Sequence, residues 1–119
     1  TMKPLTEQEL HNLAMNLVGH ELETQGYEFT GVNSKLKKNP QFVCLKNKKL
    51  HFIVVRYVPY PEDPKIYDLA VMLEVKEHAK KFEARTFYAG VGLSNAADQS
   101  LPVCLNEDYI VVYDGLIEV

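Results

Sequence analysis

Residues 40–60, PQFVCLKNKKLHFIVVRYVPY, decide how the chain folds. Residues 42–46 and 51–58 read as two strands around a polar turn at Asn47–Lys48. Asn–Gly would be a stronger hairpin signal there. The second strand is the most hydrophobic run in the chain. It is apolar at successive positions and rich in β-branched residues, the pattern of a central strand covered on both faces. Arg56 is its one charge. A cation on a central strand needs a partner, because burying it alone is costly. Glu21, Glu28 and Asp114 are the candidate partners, and a pocket that takes an anion is the other reading.

Upstream, Thr6–Glu7–Gln8–Glu9 has the form of a capping box. A helix is predicted from there to about Gln25. Leu10, Ala14, Leu17, Val18 and Leu22 fall on one face, widened by Leu13 and Met15. Gly26 is placed to stop it. Gly19, inside it, costs about 1 kcal/mol relative to alanine and permits close packing on a sheet. Residues 27–32 alternate apolar with polar, a half-buried strand with Tyr27 and Phe29 toward the core. Residues 33–39 form a lysine-rich loop.

Downstream, Pro59, Pro61 and Pro64 end the strand. Asp63–Pro64 predicts a helix start, and the helix runs to about Glu83. Its spacing series are Ile66, Ala70, Leu73, Glu77 and Leu69, Met72, Leu73, Lys76. Lys80 and Lys81 suit its carboxyl end. Residues 70–75 also fit a strand. Residues 85–93 read as a strand whose Gly90 and Gly92 mark a bulge. Residues 101–105 predict a short edge strand and 109–113 a strand. Residues 116–119 form a final edge strand or a tail.

A chain of 119 residues, 46% hydrophobic and 24% charged, holds enough apolar side chains for one globular domain, taken as residues 1–119, and is too short for two. No apolar run approaches the roughly 20 residues that cross a bilayer, so no membrane partner is expected. The start shows no secretory signal pattern, and a cytoplasmic location is the default. Thr1, ahead of Met2, reads as a residue left from expression. Cys44 and Cys104 sit in apolar runs and read as buried free thiols. The net charge of −3 and a pI near 5.8 argue against a dedicated nucleic-acid binder. The charges are segregated, however. Lys35, Lys37, Lys38, Lys46, Lys48, Lys49 and Arg56 lie in a stretch with no acid, and Asp98, Glu107, Asp108, Asp114 and Glu118 in one with no base.

No cofactor motif is present. His11, His20, His51 and His78 are scattered without metal-ligand spacing, and Gly90–Val91–Gly92 lacks the third glycine of a dinucleotide loop. Cys44 with His51 makes a catalytic pair only if thiol and ring come within hydrogen-bond reach. Tyr57 and Tyr60, near the hairpin's end, form either an interaction patch or a capped core rim.

Residues 17–57 resemble the restriction-endonuclease-like, PD-(D/E)XK, superfamily, and within it the small group similar to Holliday-junction resolvases. That group has a helix ending in Gly–Tyr, matched by Gly26–Tyr27, then a strand and a hairpin that carries the metal ligands. The resemblance implies a single α/β domain with a central mixed sheet and two flanking helices. Carried over residue by residue, the hairpin-opening Asp falls on Gln41, the Glu of Glu–x–Lys on Val54, and its Lys on Arg56. The Glu that some members hold on the first helix falls near Met15. A Mg²⁺ site needs carboxylate oxygens, and these four positions offer none. The implied relative is therefore non-catalytic, without metal, acting through binding or as a homodimer or with a protein partner. Two alternatives remain. One is a metal-dependent nuclease with displaced ligands among Glu21, Gln41, Asp68 and Glu74, the last two spelling a nominal Asp then Glu–x–Lys with Lys76. The other is a nucleic-acid binder using the basic residues of 35–56.

Overall fold

The computed structural model describes residues 2–119, and Thr1 lies outside them. The elements run α1 (Glu7–Thr24), β1 (Glu28–Val32), β2 (Phe42–Lys46), β3 (Lys49–Pro59), α2 (Leu69–Lys80), β4 (Arg85–Asn95), β5 (Tyr109–Val112) and β6 (Ile117–Glu118). They make a small α/β domain in which two helices flank a mixed six-stranded sheet. The sheet order is β1-β2-β3-β4-β5, with β6 following β5 along the same side of β4. The strand pairs are antiparallel except for β3 with β4, which run parallel.

The capping box closes at Thr6. Its hydroxyl accepts from the Glu9 amide at 3.2 Å, and the Glu9 carboxylate accepts from the Thr6 amide at 2.9 Å. Gly26 ends the turn with φ +86°, a conformation that other residues adopt at a cost. Ala14, Met15, Val18 and Leu22 are buried, in one apolar cluster with Ile53, Val55, Phe87, Ala89 and Val91. Gly19 allows the approach expected of it, since a Cβ there would sit 3.2 Å from the Phe42 ring. At the hairpin turn, Asn47 and Lys48 both have positive φ, which is what a type I′ turn requires.

Strand β3 divides its side chains between two layers. Ile53 and Val55 join the α1 cluster, while Phe52 and Val54 join Met72, Val75, Ala79 and Tyr88 beneath α2. This is the doubly covered central strand expected from its composition.

Several expectations need correction. Helix α2 begins at Leu69 and not at Pro64. Its N-cap is Asp68, whose carboxylate accepts from the Val71 amide at 3.2 Å. The buried face is Met72, Val75 and Ala79, so Ile66, Leu69 and Leu73 stay exposed. Residues 60–68 are instead the path from the end of β3 onto the sheet face. Asp63 turns this path by accepting from the Lys65 amide at 2.9 Å. Pro64 rests on β4, where a Cβ on Gly90 would lie 1.9 Å from the Pro64 carbonyl oxygen. Gly90 and Gly92 thus admit a crossing segment. They mark no bulge, and the β3–β4 register runs unbroken from His51↔Arg85 to Pro59↔Leu93. Phe29 does not face the core fully. It is 37% exposed on the edge strand, although its ring meets Phe42 at 5.3 Å. Residues 101–105 form no strand but clamp the start of the chain, with Leu5 N–H donating to Val103 O and Leu105 N–H to Lys3 O, both at 2.9 Å. Residues 70–75 are helical, and β6 is a paired edge strand. Both cysteines are free and buried.

Replacing Gly90 with alanine forces backbone against backbone. We expect a loss of roughly 3 kcal/mol, the upper end of overpacking costs, readable as a lower midpoint in urea.

His11 and His51 are both buried, and desolvation holds both imidazoles below their usual value. Each therefore binds protons more readily when unfolded. Their contribution to stability is complete above the unfolded value of 6.5 and is lost as the pH falls below it toward the folded value. The melting temperature should be level above about pH 7 and drop as the pH falls below 6.5, with part of the drop removed in His51→Phe.

Candidate functional site

The parallel β3–β4 pair, the loop 60–68 and the first turns of α2 enclose a cavity of about 860 Å³. Its floor comes from β3 and β4, through Val54, Arg56 and Tyr88, and one wall is α2, through Val71, Met72 and Glu74. Tyr67 leans on Tyr88 with ring centroids 5.1 Å apart, giving an aromatic side. Lys37 and Asn39 approach from the loop before β2. Glu62, Asp63 and Asp68 complete the rim.

Arg56 occupies the polar end. None of the carboxylates expected to pair with it does so. Asp114 bonds to Lys65 at 3.2 Å, Glu21 lines a different cavity with Tyr113 and Leu116, and Glu28 lies on the edge strand β1. Among the described residues Arg56 has no ion-pair partner within 4.0 Å. Neutral oxygens hold it instead. Its Nη1 donates to Val55 O at 2.9 Å and to Gln41 Oε1 at 3.3 Å, and its Nη2 donates to Asn39 Oδ1 at 2.7 Å. Burial pulls the guanidinium below its ordinary value, while Tyr88 and Asp68 act in the opposite direction. An arginine remains charged throughout. Burial also raises the phenol of Tyr88 against the opposing pull of Arg56.

Gln41 is the hinge of this arrangement. It is fully buried. Its backbone N–H donates to Ile53 O at 3.1 Å, and its side-chain oxygen takes the Val55 N–H at 2.8 Å. The side chain thus stands in for a main-chain acceptor where the β2–β3 ladder runs out. Its amide nitrogen donates to Lys38 O and to Asn39 Oδ1, both at 3.2 Å. Every polar atom of the side chain is therefore engaged, and the Gln41 oxygen serves Val55 and Arg56 together.

The positions singled out in the sequence separate into groups. Val54 and Arg56 line the cavity, and Gln41, buried behind it, meets Arg56 through its side-chain oxygen. Met15 does neither, because it packs in the α1 cluster on the other face of the sheet. Asp68 and Glu74 both line the cavity, Asp68 as a helix cap. Among the described residues, no three His, Cys, Asp or Glu side chains are grouped to hold a metal ion. The lysines form no single patch. Lys35, Lys37 and Lys38 precede β2, whereas Lys46, Lys48 and Lys49 surround the turn at its far end. Lys37 alone of them lines the cavity, and Lys46 lies over the Tyr27 ring at 4.6 Å. Tyr57 borders the cavity and packs on the core, while Tyr60 is 53% exposed beyond it. Cys44 and His51 are direct partners across the hairpin, but burial pushes the thiol up to about 11, the reverse of what a nucleophile needs. Sequence reasoning missed Asn39, Tyr67 and Tyr88. Asn39–Pro40 was legible only as a loop end, and the tyrosines converge through a parallel pairing that local pattern does not specify.

Removing the Gln41 side chain with alanine leaves the buried Val55 N–H unpaired and should cost about 1–3 kcal/mol. Gln41→Glu retains an acceptor oxygen for Val55 and Arg56 and should lose less, a ranking that chemical denaturation of the two variants will read.

No curated protein and no solved structure matches the chain. Residues 8–119 match the family model described as a domain of unknown function, DUF8840, and the chain belongs to that family.

Proposed function

We infer that the chain is a non-catalytic binding domain built on a restriction-endonuclease-like plan, in which the place of the metal ligands has become a ligand cavity. The order α1, three antiparallel strands, α2 and a strand parallel to the third supports that plan. The observation that carries the binding reading is the use of Gln41. On the resemblance the hairpin-opening carboxylate falls on Gln41, and the side-chain oxygen of Gln41 is taken up by Val55 and Arg56. Val54 and Arg56, at the other two positions of the pattern, contribute an apolar wall and a cation. A divalent ion would meet repulsion from Arg56 and no free oxygen from these three side chains.

The displaced-ligand alternative draws less support. Glu21 lines a different cavity from Asp68 and Glu74. Nucleic-acid binding through residues 35–56 is weakened by the division of the lysines between the two ends of the hairpin. Self-association has one observation in its favour. Tyr109, Ile110, Val111 and Val112 are all exposed on β5, the last strand on the sheet path.

Titration of the wild-type chain with Mn²⁺ and Mg²⁺ should give no saturable heat. Saturable binding would overturn the non-catalytic reading. The nuclease-like plan has its own test in the double variant Gln41→Asp, Val54→Glu. Two carboxylates restored at those positions should make it less stable without metal and should add a Mn²⁺-dependent rise in melting temperature. A folded double variant indifferent to Mn²⁺ would sink the plan and leave the cavity.

A further inference from the structure

Arg56 offers five N–H donors. Three are used, two on Nη1 and one on Nη2. Gln41 Nε2 also donates to Asn39 Oδ1, so the Gln41 and Asn39 side chains are tied together and each gives an oxygen to one terminal nitrogen of the guanidinium. The donors left without a partner among the described residues are Nε–H and one N–H of Nη2. Nε and Nη2 are the adjacent pair of nitrogens along one side of the group, a fork that matches the two oxygens of a carboxylate or phosphate. A half-buried cation whose neutral neighbours fix its orientation, and whose fork is left open on a cavity, is preorganised for an anion.

The surroundings narrow the anion. Glu62, Asp63, Asp68 and Glu74 line the same cavity, against Lys37 as the only further cation among the described residues. A polyanion such as a nucleic-acid backbone or a nucleoside triphosphate would be repelled there, whereas a single negative charge meets Arg56 first. The remaining wall is apolar, through Val54, Ile66, Tyr67, Met72 and Tyr88. The volume of about 860 Å³ lies in the range that accepts a drug-sized organic molecule. We propose that the cavity binds a small amphipathic monocarboxylate, its carboxylate seated on the free side of Arg56 and its apolar body against Tyr67 and Tyr88. This rests on the binding reading above and specifies its ligand class.

The test is a titration of the ¹⁵N-labelled full chain with phenylacetate, hexanoate and 4-phenylbutyrate, with phenylacetamide and inorganic phosphate as controls. At least one carboxylate should saturate and shift the amides of Arg56, Tyr67 and Tyr88. Phenylacetamide should bind more weakly than phenylacetate, by about tenfold or more if two charge-assisted hydrogen bonds are lost. Arg56→Gln should remove the binding. Ile66→Glu changes an exposed side chain and so preserves the fold. It adds a negative charge to the wall and should weaken carboxylate binding while leaving the melting temperature unchanged. The proposal is overturned if none of the three carboxylates saturates, if the amide binds as well as the acid, if folded Arg56→Gln binds undiminished, or if Ile66→Glu has no effect. Tighter saturation of the same resonances by inorganic phosphate would overturn the ligand class and leave the binding reading standing. Saturable Mn²⁺ binding would remove that reading itself.

Discussion

The parallel pairing of β3 with β4 is the constraint on which the rest of the structure depends. Two parallel neighbours cannot be joined by a tight turn, so the chain must leave one end of the sheet and return to the other. Here the return is made by the loop 60–68 and α2, lying on one face. Pro64 crosses directly over β4, and the sheet yields to it with Gly90. The loop must stand off from β3 before α2 settles onto Met72, Val75 and Ala79, and the space beneath it is the cavity. The site is therefore a product of the crossover as much as of the residues that line it.

The second organising feature is the polar knot at the end of the hairpin. A guanidinium on the central strand is costly to bury. A buried carboxylate partner would repay that cost only with good geometry, because both ions lose their hydration. The protein satisfies one end of Arg56 with amide and carbonyl oxygens, which carry a smaller desolvation penalty, and leaves the other end open. Gln41 ties this to the backbone, since the oxygen that receives Arg56 also closes the ladder at Val55. Orientation of the cation and integrity of the strand end are thereby one problem with one solution.

Much of the fold was legible because it rests on local rules. The capping box at Thr6, the glycine stop at Gly26, the Asn47–Lys48 turn and the doubly apolar β3 all follow from short-range chemistry. Where the reading failed, a distant contact had overridden a local signal. Asp63–Pro64 is a good helix start in isolation, yet Pro64 is committed to β4, and Asp68 takes the capping role a few residues later. Ile66, Leu69 and Leu73 have helical spacing, but the sheet meets the neighbouring stripe of α2. Of the site, Gln41 and Val54 were reached through the resemblance, and Arg56 also through its lone charge on a central strand. The neutral acceptors around Arg56 were not, because a charge on a central strand led to a search for carboxylates and gave no weight to Asn39.

The clamp between residues 3–5 and 103–105 fixes an order of events for a chain emerging from the ribosome. Helix α1 and the β2–β3 hairpin need only near neighbours and can take shape early. The backbone groups of Lys3 and Leu5 find their partners only after residues 103–105 have been made, and β4 acquires its outer neighbours, residues 109–112 and 117–118, later still. Until then β4, buried at every position from Thr86 to Asn95 in the finished fold, has an open flank. Closure of such distant contacts is slow compared with helix and hairpin formation. While that flank lies bare, the nascent chain presents an unpaired strand edge, a template for pairing with another chain.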